Sequence, residues 1–197
     1  MVTLVTDLQN FGADRLCRRL TTGAAGETAA HLIGECLGRD GGKVLVTLSS
    51  GRFRGEEERE IGFRRVIRAH YPGIGVTEIS EGHGSDAATG TLATAALAAD
   101  SAINAAYSIG GGNRAVLAAF EAAGRPVRVF VAHDLDADNR ALLTARRIGF
   151  VLHHDLRTDA RSAFRTIMSR EPSGRRMIGA LLSAVEIITP YNIPAGD

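Results

Sequence analysis

The stretch AINAAYSIGGGNRAVLAAFEAAGRPVRVFVAHD, residues 102–134, decides the fold class. It opens with a short apolar run over Asn104–Ile109. Three glycines follow, and then a segment whose apolar residues Val116, Leu117 and Phe120 recur at helical spacing. After Gly124 and Pro126 a second apolar run, Val127–Ala132, ends at His133 and Asp134. Nearly continuous apolar runs of this length are strands covered on both faces, and a helix between two of them makes a βαβ unit with parallel strands.

The pattern continues outward in both directions. Further strands are expected at Val2–Thr6, Lys43–Ser49, Gly75–Ile79, Phe150–His153 and Val185–Thr189. Helical stripes lie between them: Ala29, Leu32, Ile33, Cys36 and Leu37; Phe63, Val66, Ile67 and His70; Leu92 and Leu97 in an Ala-rich segment from about Ser85; Leu142, Leu143 and Ala145; and Ala160, Phe164, Ile167 and Met168. Such alternation predicts an α/β protein with a doubly wound parallel sheet.

The chain has 197 residues, enough to bury a large core. It is 45% hydrophobic and 23% charged, which excludes disorder as the main state. A formal net charge of +1 gives no electrostatic footprint for wrapping nucleic acid or holding a membrane surface. No apolar run is long enough to span a bilayer, and the first residues, MVTLVTDLQN, lack the basic start of a secretory signal. Cys17 and Cys36 make neither a disulfide framework nor a CxxC metal site, so a reducing, cytoplasmic setting is expected.

Ligands of open α/β sheets sit at the carboxyl ends of the strands. Those ends carry Asp7, the loop Ser50–Gly55, Gly110–Arg114, His133-Asp134 and His154-Asp155. Arg, Asn, Asp and His together suit the neighbouring hydroxyls of a neutral polyol better than a phosphate. Arg59 is four residues before Phe63, so it extends the core-facing stripe of its helix toward the strand ends. It could equally pair with Glu56 or Glu58. Asn113 could contact a ligand or cap its helix. Gly110-x-Gly112-x-x-Ala115, with Asp134 about twenty residues on, also fits a relaxed dinucleotide fingerprint. It marks a Rossmann-type enzyme domain as the alternative from another class, although no catalytic constellation accompanies it. His153 and His154 are adjacent and point to opposite faces of an extended segment, which disfavours a shared metal.

The order of these motifs resembles the effector-binding domain of lac-repressor/galactose-repressor family transcription regulators and the related periplasmic sugar-binding proteins. The matching segments are VTLVTDL with Asp7, AAGETAAHLIG, Glu58-Arg59…Gly62-Phe63, YSIGGGNRAV, VFVAHDL with Asp134, and VLHHD. The resemblance implies a periplasmic-binding-protein-like type I fold that closes two lobes on a sugar or similar molecule, without cofactor or catalysis. By it, Asp7 and Arg59 match the acid and arginine that hold sugar hydroxyls. Asn113 and Asp134 match polar residues after the fourth and fifth strands, and His154 stands where glutamine is common. Phe53 could face the sugar ring. The alignment also implies residues 23–153 with 171–197 as the C-terminal lobe, residues 1–22 with 154–170 as a remnant of the N-terminal lobe, and no helix-turn-helix headpiece in this sequence. DNA would be reached only through that headpiece, in a homodimer whose exposed apolar faces invite association.

Overall fold

The computed structural model describes residues 2–3, 16–17, 22–168 and 184–195. Two short strands, β1 (Val2–Thr3) and β2 (Leu16–Cys17), pair in parallel. The remaining elements are α1 (Thr22–Leu37), β3 (Gly42–Thr47), α2 (Arg54–His70), β4 (Ile74–Ile79), α3 (Asp86–Ala99), β5 (Ile103–Ser108), α4 (Asn113–Ala122), β6 (Val129–His133), α5 (Ala137–Thr144), β7 (Phe150–His153), α6 (Leu156–Met168) and β8 (Glu186–Ile188). Strands β3 to β8 form one sheet in the order β4-β3-β5-β6-β7-β8. All its pairings are parallel except β7 with β8, which is antiparallel. The final strand is therefore an antiparallel edge on an otherwise parallel sheet, a common ending for such folds.

The doubly wound expectation holds, and strand alternation shows how. Val44 and Val46 of β3, Ala105 and Tyr107 of β5, and Val129 and Val131 of β6 pack with α1 and α2. Leu45, Ala106, Phe130 and Ala132, the residues between them, pack on the opposite face with α3, α4 and α5. Each strand is buried on both faces, so its sequence reads as continuous apolar residues rather than as an alternating pattern.

Helical stripes differ from expectation at several points; Ala145, for one, lies just past α5 and is exposed. On α1 the buried residues are small: Ala25, Gly26, Ala29, Ala30 and Gly34, beside Ile33 and Leu37. Cys36 is exposed and Leu32 only half-buried. Helix α1 lies so close to α2 that only small side chains fit between them. A Cβ on Gly26 would stand 1.8 Å from the carbonyl oxygen of Arg59, and one on Gly62 would stand 2.2 Å from that of Gly23. His70 ends α2 in solvent, where a basic residue suits the helix C-terminus. On α6, Ala160, Phe164 and Met168 are exposed, while Asp159 is buried. The periodicity located the helix, but not the burial of Asp159 within it.

Helix ends away from the cleft are closed by arginines from the turn before β6. Arg125 donates to the carbonyls of Leu97 and Asp100 at 2.6 and 2.8 Å, satisfying the end of α3. Among the described residues no helix is long and apolar enough to cross a membrane.

Candidate functional site

From β3 the chain goes outward to β4, and from β4 it returns past β3 to β5. The strand order therefore reverses between β3 and β5, and a crevice opens where their following loops part. A cavity of about 370 Å³ lies there, within the usual size range of small-molecule sites. It is lined from α2 by Glu56 and Arg59, from the turn before α3 and its first residue by Gly84 and Asp86, and from the β5–α4 loop and the start of α4 by Ile109–Arg114. His133, Asp134, Asp136, Asp138 and Asn139 complete it from the end of β6 and α5.

Glycines shape this loop. A Cβ on Gly110 would stand 1.9 Å from the backbone nitrogen of Ser49, so the β3 and β5 loops meet backbone to backbone. Gly112 precedes α4 with φ of 74°, a left-handed conformation that glycine adopts without strain. The chain's own turn thus accounts for the glycines of the dinucleotide-like motif. Five carboxylates against two arginines make the lining a poor setting for a pyrophosphate.

Arg59 is 8% exposed, on the buried stripe with Gly62, Phe63 and Ile67. Its Nε is buried without a hydrogen-bond partner, and none of the ion pairs among the described residues includes it. The two glutamates that could have paired with it are engaged elsewhere. Glu56 accepts from the Ser49 backbone N–H at 2.7 Å and from its hydroxyl at 2.5 Å. Glu58 accepts from Thr22 and from Arg54.

Asn113 does not cap α4; it is the first helical residue, and the preceding Gly112 holds the cap position. Its orientation follows from Asn139. The Asn139 amide donates to the carbonyls of His133 and Asp134 at 2.9 and 2.7 Å, so its Oδ1 faces the other way and accepts from Asn113 Nδ2 at 2.5 Å. Asn113 Oδ1 is left as a buried acceptor without a partner. Asp134 adopts φ of 63° and is exposed at the cavity wall. A non-glycine residue held left-handed carries backbone strain, which clusters at functional sites. Asp136 accepts from the Asn139 N–H at 2.7 Å and caps α5. Arg114 donates twice to Asp138, at 2.8 and 2.9 Å.

The histidines behind this wall are neutral. Burial, and next to it the Arg59 charge and then His154, hold the His133 imidazole well below its ordinary value. His154 is 2% exposed, and neither ring nitrogen has a partner. Burial and Arg59 lower it, against the opposing pull of Asp134 and Asp159. His153 points elsewhere and accepts from the Leu135 N–H at 3.3 Å. Asp155 accepts from the Thr158 N–H at 2.9 Å, so it begins α6.

Of the expected site residues, Arg59, Asn113 and Asp134 line one cavity, and His154 lies within electrostatic reach of two of them. Phe53 stands apart. It precedes α2 in extended backbone, 57% exposed, and does not line the cavity. Asp7 lies outside the described residues. Tyr107 and Asn139 went unnoticed as site residues, and His133, though placed at a strand end, was given no role. His133 sits beside Asp134 at a strand end, which was a usable signal; Asn139 and Tyr107 matter through contacts that only the fold creates.

Residues 21–170 match the family model of the periplasmic binding protein domain. The chain belongs to that family. No curated protein matches it. Among solved structures it is similar to AraP, an arabinose binding protein from Geobacillus stearothermophilus, at 22% identity and a TM-score of 0.71 over 87% of this chain and 62% of that one. It is also similar to GanP, a glucose-galactose binding protein from the same organism, at 18% identity and a TM-score of 0.81 over 98% and 69%. A protein described as a LacI transcriptional regulator from Bacteroides fragilis aligns at 12% identity and a TM-score of 0.69 over 87% and 60%. These likenesses confirm the type I binding-protein fold. The chain spans less than two thirds of the length of AraP.

Proposed function

We propose that the cleft binds a neutral sugar or sugar-like molecule and that the chain is a non-catalytic ligand-binding domain. The observation that carries this reading is the pair of buried, unpartnered polar atoms, Arg59 Nε and Asn113 Oδ1, on side chains that line one cavity. A donor fork, a fixed acceptor and the Asp134 carboxylate lining one cavity match vicinal hydroxyls, each of which donates and accepts. The excess of carboxylates disfavours sugar phosphates. The sugar-binding descriptions of the structural neighbours AraP and GanP support the same ligand class.

In this reading residues 23–153 with 171–197 form the C-terminal lobe, and residues 1–22 with 154–170 belong to the N-terminal lobe. Asp7 and His154 then contribute from the second lobe and the crossover. The domain serves a cytoplasmic transcription regulator in which closure on the effector controls DNA binding by a dimer. The second reading is the binding protein of a sugar transporter, which the descriptions of three structural neighbours as transporter binding proteins favour.

Thermal shift and calorimetry against neutral monosaccharides, their phosphates and NAD(P) test the ligand class. Stabilisation by a neutral sugar is the expected result; stabilisation by NAD(P) alone would replace this reading with the dinucleotide one. The full-length gene product separates the two roles: sugar-dependent retention of operator DNA marks the regulator, and export to the periplasm marks the transport protein.

A further inference from the structure

Helix α2 buries Arg59, Gly62, Phe63 and Ile67 on its inner side. On its outer side Glu57, Ile61 and Arg68 are exposed, and Ile61 keeps 55% of its surface open. Beside Ile61 runs a groove of about 690 Å³, lined also by Glu60, Arg64, Arg65, Arg68 and Ala69. One exposed isoleucine needs no explanation. The order of charges around it is informative.

Glu57, Ile61, Arg64 and Arg68 follow one another at intervals of four, three and four residues. That spacing keeps four side chains on one narrow stripe, the seam of a helix pair. The groove walls are charge-matched: Arg64 is held by Glu60 and, at 2.7 Å, by Glu78, and Arg65 by Glu27. Glu57 and Arg68, at the two ends of the stripe, have no ion pair among the described residues.

The stripe is self-complementary in one direction only. Laid antiparallel on a second copy, Glu57 meets Arg68 and Ile61 meets Arg64, since both pairs are centred between Gly62 and Phe63. A two-fold axis at that level makes each contact twice. It also sets the two Ile61 side chains about 4.5 Å apart along the helix direction, close enough to cover each other. The Arg64 head is drawn off to Glu60 and Glu78, so Ile61 meets its methylene stem. A parallel arrangement would set Glu on Glu and Arg on Arg. We propose that this face of α2 is the contact between two copies of the chain, an antiparallel helix pair centred on Ile61 and closed at each end by a Glu57–Arg68 ion pair. Ile61 supplies the apolar area, and the charges fix direction and partner. The contact needs no sugar and does not rest on the ligand reading.

A single helix pair is a small interface, so a Kd on the order of 10 µM is expected, weakening as salt rises. Sedimentation equilibrium of the whole chain on either side of that concentration reads it. Glu57→Arg sets Arg against Arg68, and Arg68→Glu sets Glu against Glu57. Each should weaken the dimer about tenfold or more. The two positions are exposed, so the fold should survive, as circular dichroism checks. The double variant Glu57→Arg/Arg68→Glu should restore the dimer. The two single variants, mixed, should pair with each other, because one offers only bases and the other only acids at the contact points. A wild type that stays monomeric overturns the proposal. A dimer indifferent to both charge reversals overturns it too, since the contact would then lie elsewhere, as does a mixture that fails to associate.

Discussion

The two ends of the large sheet carry cavities of nearly equal volume and opposite character. At the amino ends of the strands, about 380 Å³ is enclosed by Gly34, Glu35, Arg39, His70, Tyr71 and their neighbours. Polar groups at that end are matched. Tyr71 donates to Glu35 at 2.8 Å while its oxygen meets His31 Nδ1 at 2.9 Å, Lys43 pairs with Asp100, and Arg125 closes α3. At the carboxyl ends lie all the buried side-chain polar atoms that lack a partner among the described residues, on Arg59, Asn113, His133 and His154. Among the described residues, three of the four non-glycine positions with left-handed backbone, Glu81, His83 and Asp134, are there too. Volume does not distinguish the ends, but unmet hydrogen-bonding capacity does. Burying a polar group unmatched costs about 1–3 kcal/mol, and a fold that does so repeatedly at one place is shaped for something besides stability.

The largest expected effect is on binding. Arg59→Ala removes a charge-assisted fork and leaves ligand hydroxyls unmatched, which should cost roughly 2–4 kcal/mol, or on the order of 30- to 1000-fold in affinity. Arg59→Lys should not restore it, because an ammonium lacks the planar fork. Arg65, exposed on the same helix and paired with Glu27, is the control. Equal affinities for wild type and Arg59→Ala in calorimetry would remove Arg59 from the site and dissolve the contrast between the ends.

Next comes the seat of that arginine. Gly26→Ala would place a Cβ against the backbone carbonyl of Arg59, which no side-chain rearrangement can relieve. The helices must move apart, at about 2–3 kcal/mol of stability. Urea unfolding should show the loss, and affinity should fall with it because α2 carries Arg59. Unchanged stability would mean that the α1–α2 contact is looser than the geometry shows.

A third effect is on the pH dependence of stability. The folded state holds His133 and His154 below their ordinary value of 6.5, so the unfolded chain binds protons there that the native chain does not. Stability is then full above pH 6.5 and declines as pH falls below it toward the folded values. Asp100, held low by Lys43, and Asp155, held low by Thr158, act in a lower window. Their stabilisation is present above the ordinary 3.8 and is lost as pH falls through the depressed folded values. Melting temperatures from pH 8 to 5 should fall for the wild type and fall less for His133→Gln. Parallel curves would show that His133 titrates normally.

Much of this was legible in the sequence because it is local. Continuous apolar runs gave the strands of the main sheet to within one or two residues, as at Phe150–His153 and Glu186–Ile188. Arg59 was found because four residues make one helical turn, and the known face of Phe63 fixes its direction. Misjudged positions depend on what lies across the fold. Cys36 and His70 fit a hydrophobic stripe on paper, but α1 packs through its alanines and glycines. Asn139 orients Asn113 across 26 residues of chain, and Tyr107 meets His133 across the same separation. No period or motif records such a pairing. Phe53 was drawn toward the cleft by its loop, yet its position just before α2 leaves the ring in solvent.

The smallest expected effect is the one that would break the comparison most directly. Tyr71→Phe deletes the hydroxyl between His31 and Glu35 but keeps the ring, against which a Cβ on Gly34 would stand only 2.4 Å away. His31 and Glu35 are both exposed, so water replaces each lost bond. The cost should stay below about 1 kcal/mol. Sugar affinity should not change, because the site is at the other end of the strands. Tyr107→Phe makes the same chemical change at the cleft end, where the histidine it serves is buried. One hydroxyl removed at each end therefore compares solvated with buried hydrogen bonding in a single fold. If Tyr71→Phe weakened sugar binding, the two ends would be coupled, and the distinction drawn from unmatched polar atoms would fail.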